Sequence, residues 1–151
     1  KELATPPMSE LGKYAIKAAD VKGNPNSPLA GPGVEEAPLI GDVDAHDGFK
    51  AGPIIGHWQH DFTLRRLKLE TGAIIPAHAR AEQEVIFVQS GTLELTWEDG
   101  SLILGAGDTL TVPIGLMHGF RNPASADAIA FVVRGAAAPA APVFATAQAA
   151  E

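Results

Sequence analysis

Two segments carry most of the structural information in this sequence: GAIIPAHARAEQEVIFVQSG at residues 72–91 and GDTLTVPIGLMHGFRN at residues 107–122. Both begin with glycine and combine strand-forming residues with a few polar side chains. The first segment places His78 two residues before Arg80. Because side chains alternate between the faces of a strand, these two are predicted to project from the same face.

The two segments resemble the signature motifs of the cupin superfamily. The second motif has all five of its fixed residues: Gly107, Pro113, Gly115, His118 and Asn122. The first motif has four of its five: Gly72, His78, Glu84 and Gly91. Arg80 stands where the family usually has its second histidine. The 15 residues between the segments are similar to the short spacing of compact single-domain cupins. The resemblance implies a double-stranded β-helix, the small jelly-roll barrel of cupins.

Patterning outside the two segments favours the same all-β class. Short strand-like runs follow one another from Phe62 to Arg134, divided by turn signals such as Asp99-Gly100, where glycine accepts the positive φ of a tight hairpin. Many short strands without helical periodicity predict a sandwich or barrel. We predict an N-terminal arm and loop at residues 1–50, the barrel at 51–135 and an Ala/Pro-rich tail at 136–151. Within the arm, residues 21–38 are predicted to be an irregular connection. A further strand is predicted at residues 54–60, and the tail is expected to extend along the surface as far as Val143 and Phe144.

Composition limits the classes of partner. The chain has 151 residues, the length of one typical domain. Of these residues 46% are hydrophobic and 19% are charged, and the formal charge is −7. An acidic chain without a basic run is not expected to bind nucleic acid or an anionic membrane. No apolar run approaches the roughly 18 residues that a membrane helix needs. The absence of cysteine excludes disulfides and thiolate metal sites and is compatible with a cytoplasmic location, which we take as the expectation.

The resemblance implies a metal site inside the barrel. His78, Glu84 and His118 would face the same interior space and supply two imidazoles and one carboxylate. This set holds non-haem Fe(II), our first choice, and also suits Mn, Ni, Co or Zn. The alternative is that both histidines are satisfied core residues without a metal.

Arg80 leaves three arrangements open, since a guanidinium has no lone pair to give to a metal. It would pair with Glu84 and leave the site metal-free, or turn aside from a three-ligand metal, or bind the carboxylate or phosphate of an anionic substrate.

The remaining site predictions concern substrate and catalysis. Arg80 and Glu84 are assigned catalytic roles. The predicted substrate-binding residues are Arg80, Gln83, Phe120, Met117 and His60. Ile86 and Val88 are predicted to lie in the barrel core.

The leading hypothesis is a metal-dependent cupin enzyme acting on a small anionic organic molecule. A dioxygenase-like reaction is expected with Fe, and Lewis-acid chemistry with Mn or Zn. The alternative is a non-catalytic small-ligand-binding cupin in which Arg80 replaces a metal ligand. A purely structural role, similar to that of seed-storage cupins, is a third reading. Resemblance to the family also implies a homodimer.

Overall fold

The computed structural model describes residues 15–40, 61–135 and 140–146. These residues form one 3₁₀ turn (Ala18–Asp20) and ten β-strands. In chain order the strands are β1 (Val34–Ile40), β2 (Thr63–Leu69), β3 (Ile74–Ala79), β4 (Glu84–Ser90), β5 (Thr92–Trp97), β6 (Gly100–Gly105), β7 (Thr109–Val112), β8 (His118–Arg121), β9 (Ala128–Arg134) and β10 (Val143–Phe144). Within this part of the chain, no helix has the length and apolar character needed to cross a membrane.

The strands form two antiparallel sheets of five strands each. The first sheet has the order β1-β2-β9-β4-β7, and the second has the order β10-β3-β8-β5-β6. The chain changes sheet at each step from β2 to β5 and again at each step from β6 to β9, so it winds around both sheets as a jelly roll. The predicted all-β jelly-roll fold is confirmed.

Alternation along the strands decides which side chains enter the barrel. In β2 every second residue, beginning with Thr63, is buried, and β9 begins with the same pattern at Ala128. The apolar members of both inner faces pack into one core, in which each fully buried side chain contributes about 1.5–3 kcal/mol. The core includes Leu67, Ile75, Ile86, Val88, Leu93, Leu95, Phe120 and Val132.

The two ends of the barrel differ in chemistry. The apolar end, as defined here, comprises Leu69, Val88, Leu93, Leu95 and Ala128. The polar end comprises Glu36, Arg65, His78, Arg80, Glu84, His118 and Arg134, all of which are buried. Strand register assembles the polar end, because Glu84 lies beside Arg134 in the first sheet and His78 beside His118 in the second.

Motif glycines occupy the turns that deliver the site residues. Gly91 joins β4 to β5 with φ 78°, and a Cβ there would collide with the carbonyl oxygen of Asp127. Gly115 has φ 80° in the loop that leads to His118. Both positions lie in the left-handed region that side chains disfavour, which explains the glycines.

The prediction of an irregular connection at residues 21–38 is wrong from Val34 onward. Residues from Val34 onward form β1, which pairs with β2 at the edge of the first sheet. A proline is tolerated in an edge strand because its missing N–H faces away from the ladder. Because of Pro38, this strand was not predicted from the sequence, although its Glu36 side chain points into the barrel.

Two predicted elements have different outcomes. The strand predicted at residues 54–60 lies outside the described residues. The tail extends along β3, where Val143 pairs with Ala79 and Phe144 with His78. The division of the chain at residues 50 and 135 stays a prediction.

Candidate metal and substrate site

The two predicted histidine ligands meet inside the barrel. His78 on β3 and His118 at the start of β8 are register partners, and both are essentially inaccessible to solvent. Their ring centroids lie 4.7 Å apart. Strand pairing therefore brings together two residues that are far apart in the sequence.

Backbone contacts orient both imidazoles. The Nδ1 atom of His78 lies 2.9 Å from the Pro76 carbonyl oxygen, and that of His118 lies 2.7 Å from the Leu116 carbonyl oxygen. A carbonyl only accepts, so each Nδ1 carries a hydrogen, and Nε2 is the ring nitrogen that each histidine has left for a metal. The Nε2 of His118 is buried and has no hydrogen-bond partner among the described residues. Burial lowers the pKa of His78 to about 4, so its ring is neutral at neutral pH.

Glu84 faces the histidines from the opposite sheet. Its Oε1 lies 3.7 Å from Nε2 of His118, which is too long for a hydrogen bond. Its Oε2 accepts a 2.7 Å hydrogen bond from Nε of Arg134. Burial alone would raise the pKa of Glu84, but His118 and the charges of Arg134 and Arg80 lower it to about 2.

Arg134 belongs to a row of buried charges that crosses the first sheet. Its Nη2 lies 3.4 Å from Oε2 of Glu36, and Nη1 of Arg65 lies 3.2 Å from Oε1 of the same carboxylate. Ser27 also donates a hydrogen bond to Glu36. Arg134 and Glu36 were not predicted as site residues. Alternation with Ala128, Ala130 and Val132 could have identified the inward direction of Arg134.

Arg80 lies beside this row and contacts the tail. The side chain is buried, and its Nη1 donates a 3.2 Å hydrogen bond to the Ala140 carbonyl oxygen. Burial and the charge of Arg134 lower the pKa of Arg80 to about 10. Of the three predicted arrangements, pairing with Glu84 requires correction, because the guanidinium that binds this carboxylate is that of Arg134.

Comparison with known proteins agrees with this architecture. Residues 65–134 match the family described as Cupin domain. These residues form a cupin domain. A search of curated protein sequences finds no significant match.

Solved structures of other cupin-fold proteins superpose on most of the chain. The polyketide cyclase RemF from Streptomyces resistomycificus is 20% identical, with a TM-score of 0.67 over 89% of this chain and 86% of that chain. Oxalate oxidase is 24% identical, with a TM-score of 0.61 over 93% of this chain and 68% of that chain. An RmlC-like cupin from Shewanella frigidimarina is 18% identical, with a TM-score of 0.57 over 81% of this chain and 89% of that chain. Such distant likeness establishes the fold and not the activity.

The predicted substrate residues of this cupin have separate outcomes. Phe120 is buried, with its ring centroid 5.2 Å from that of His118 in an edge-on contact. Phe144, which was not predicted as a site residue, lies 5.6 Å from the ring of His78. Both rings therefore line the histidine side of the polar end.

Two other predictions of cavity lining are wrong. Gln83 is exposed, since it precedes the inward-facing Glu84 and adjacent residues alternate in direction. Met117 is 37% exposed, because the neighbouring His118 takes the inward direction. His60 lies outside the described residues.

The donor set of this cupin fits a divalent transition metal in its chemistry. Two imidazoles and one carboxylate suit Fe, Mn, Co, Ni or Zn. Two bonds of about 2 Å allow donors of one ion to lie up to about 4 Å apart, and the 3.7 Å between His118 and Glu84 is within this limit. In the ranges that the structure describes, however, no group of three or more His, Cys, Asp or Glu residues is already arranged as a metal site. Glu84 is instead engaged by Arg134.

Proposed function

We propose that this cupin is a metal-dependent enzyme acting on a small anionic organic molecule at the polar end of its barrel. The observation that carries the proposal is the buried Nε2 of His118, which has no hydrogen-bond partner among the described residues and faces the ionised Glu84. A buried ring nitrogen without a hydrogen-bond partner is unfavourable unless another group binds it. The ring of His78 lies beside it, with the two ring centroids 4.7 Å apart.

His78, His118 and Glu84 would hold the metal. When bound, Fe would supply dioxygen chemistry, our leading choice, whereas Mn or Zn would supply Lewis-acid chemistry. Glu84 is suited to the ligand role rather than to proton transfer. A carboxylate with a pKa of about 2 is a weak base at neutral pH, which argues against Glu84 as the general base.

Other side chains would bind and orient the substrate. Arg80 offers a fixed positive charge inside the barrel, which favours an anionic group of the substrate. Phe120 and Phe144 form apolar walls beside the histidines and would exclude water from the organic part. Oxalate oxidase, which has been solved with the substrate analogue glycolate, offers an analogy for a small anionic substrate.

Metal analysis tests the proposal directly. The protein is purified without chelator, and bound transition metal is measured per chain. We expect about one ion per chain, and its loss in His118→Ala. Met117→Ala is the matched control, since Met117 is the exposed neighbour of His118. Metal-free wild-type protein that does not take up Fe, Mn, Co, Ni or Zn would exclude the proposal.

A non-catalytic ligand-binding cupin is the second candidate. It is favoured by the contact between Glu84 and Arg134, which already neutralises the carboxylate, and by the buried cation of Arg80. This function predicts organic-anion binding without any metal and loss of that binding in Arg80→Ala.

We also propose a homodimer. The outer face of the first sheet exposes apolar side chains at Val85, Phe87 and Val133, with Val85 beside Val133 in the register. Burying such neighbouring side chains against a second copy would be favourable. Light scattering tests this, and a monomer at micromolar concentration would contradict it.

A further inference from the structure

The two carboxylate oxygens of Glu84 have different neighbours. Oε2 accepts a 2.7 Å hydrogen bond from Nε of Arg134, whereas Oε1 lies 3.7 Å from Nε2 of His118. All three side chains are buried, so these contacts are made away from bulk water. A carboxylate binds a metal ion through one oxygen or through both. The contacts of Glu84 therefore bear on how many of its oxygens are available to an ion.

Arg134 is held from two sides of the first sheet. It lies beside Glu84 in the pairing of β9 with β4, and its Nη2 lies 3.4 Å from Oε2 of Glu36 on β1. Glu36 also accepts hydrogen bonds from Arg65 and Ser27. A planar guanidinium that binds two carboxylates at fixed positions has little freedom to rotate. The position of Nε is thus set by the sheet and not by Glu84 alone.

An ion bonded to Oε2 of Glu84 would lie beside this guanidinium. The 2.7 Å contact is in the range of a charge-assisted hydrogen bond, so an ion on the same oxygen would meet a second cation directly. Repulsion between two cations is stronger in a buried site than in water. An ion bonded only to Oε1 leaves this hydrogen bond in place. It can also reach Nε2 of His118, since donors of one ion lie up to about 4 Å apart.

Arg80, the other buried guanidinium near this site, is directed elsewhere. Its Nη1 donates a 3.2 Å hydrogen bond to the Ala140 carbonyl oxygen in the tail. The hydrogen bond from a guanidinium to Glu84 comes from Arg134. The two arginines therefore have separate roles, and the contact with Glu84 can be removed without altering Arg80.

We propose that Arg134 is a positioning residue for the metal: by holding Oε2 of Glu84, it leaves Oε1 as the single carboxylate oxygen that binds the ion. The inference deepens the proposed function and rests on it for the presence of a metal. Arg134 acts through Glu84 and contacts neither the ion nor the substrate. Binding through one oxygen occupies one coordination position instead of two, so a further position stays open to the substrate.

Crystal structures of the full chain test the inference, with the ion located by its anomalous signal. The protein is grown with Mn²⁺, or with whichever candidate metal it takes up. In the wild type we expect Oε1 of Glu84 at bonding distance from the ion, about 2 Å, and Oε2 still within hydrogen-bond distance of Nε of Arg134.

Three variants extend the test. Arg134→Met removes both donors with an apolar side chain of similar length, and we expect the number of Glu84 oxygens bonded to the ion to rise from one to two. In Arg134→Gln an amide N–H stands in for Nε, so we expect one oxygen, as in the wild type. Arg121→Met is the matched control and is expected to keep one oxygen, since this exposed arginine binds Glu94 instead.

The outcomes separate the inference from the proposed function. An ion bonded to Oε2, or to both oxygens, in the wild type overturns the inference but leaves the metal-dependent enzyme standing, and this result requires no variant to fold. Binding through one oxygen in Arg134→Met, or through two in Arg134→Gln, also overturns the inference. A wild-type interior that takes up none of the candidate metals overturns the proposed function and the inference together.

Discussion

The two ends of the barrel are built from the same strands and hold opposite contents. At the apolar end, alternation directs Leu69 on β2 and Ala128 on β9 into the hydrophobic core. At the polar end, the same alternation on the same two strands directs Arg65 and Arg134 inward. The strands thus accept either apolar or charged side chains at their inward-facing positions. Apolar packing is concentrated at one end, and buried charges are concentrated at the other.

The largest effect is expected from breaking the charge row. Arg134→Ala leaves Glu84 and Glu36 buried without their shared partner, and we expect the free energy of unfolding to fall by about 3–5 kcal/mol. Denaturant titration measures this loss. A fall below about 1 kcal/mol, a tenth of a typical domain's stability, would mean that water or another group already solvates the row.

A substitution that shortens a core side chain at the apolar end tests the difference between the two ends. Leu95→Ala removes a fully buried side chain, and we expect the free energy of unfolding to fall by about 2–5 kcal/mol, with bound metal per chain unchanged. Comparing denaturant titration with metal analysis separates the two readouts. If ligand binding collapses while the protein stays folded, the two ends are coupled and the division drawn here fails.

Acid is expected to destabilise the protein through the polar end. The folded-state pKa of His78 is about 4 against an ordinary 6.5, so between these values the unfolded chain binds the proton first and stability falls as pH falls. Glu84, with a pKa of about 2 against 4.5, continues the loss at lower pH. Each group contributes a slope of up to about 1.4 kcal/mol per pH unit in its window.

The pH series is measured by denaturant titration of chelator-treated protein. His78→Gln should flatten the slope between pH 6.5 and 4, the window set by the two pKa values of that residue. An unchanged slope in this variant would assign the acid sensitivity to other groups.

The smallest effect on stability is expected for Arg80→Gln. This substitution removes a buried charge but also weakens a hydrogen bond to the Ala140 carbonyl, so the two effects oppose each other. We expect the free energy of unfolding to stay within about 1 kcal/mol of wild type. A thermal melt beside Arg134→Ala checks this, and equal losses in both variants would show that Arg80 is a structural member of the row.

Local sequence pattern predicted an all-β sandwich or barrel, and the resemblance to the cupin motifs implied the jelly roll and an interior position for His78, Glu84 and His118. Alternation placed His78 and Arg80 on one face, and the turn glycines marked the strand boundaries. β1 was missed because Pro32 and Pro38 resemble a loop, and its place depends on pairing with β2. Such pairing between distant segments is not encoded in either segment alone.

The partner of Glu84 was missed for the same reason. Arg134 lies 50 residues away in the sequence and reaches the carboxylate only because β4 and β9 are neighbours in the first sheet. Met117 and Gln83 were predicted to bind substrate, but both side chains are exposed. Each residue precedes an inward-facing residue, and adjacent residues of a strand-like segment point to opposite faces.

The most direct test of the central claim is a crystal structure of protein grown with Fe or Mn, with anomalous difference density calculated at the metal edge. The account predicts one peak at bonding distance, about 2 Å, from Nε2 of His78, Nε2 of His118 and a carboxylate oxygen of Glu84. An interior without a peak, with Glu84 still held by Arg134 at saturating metal, would contradict it.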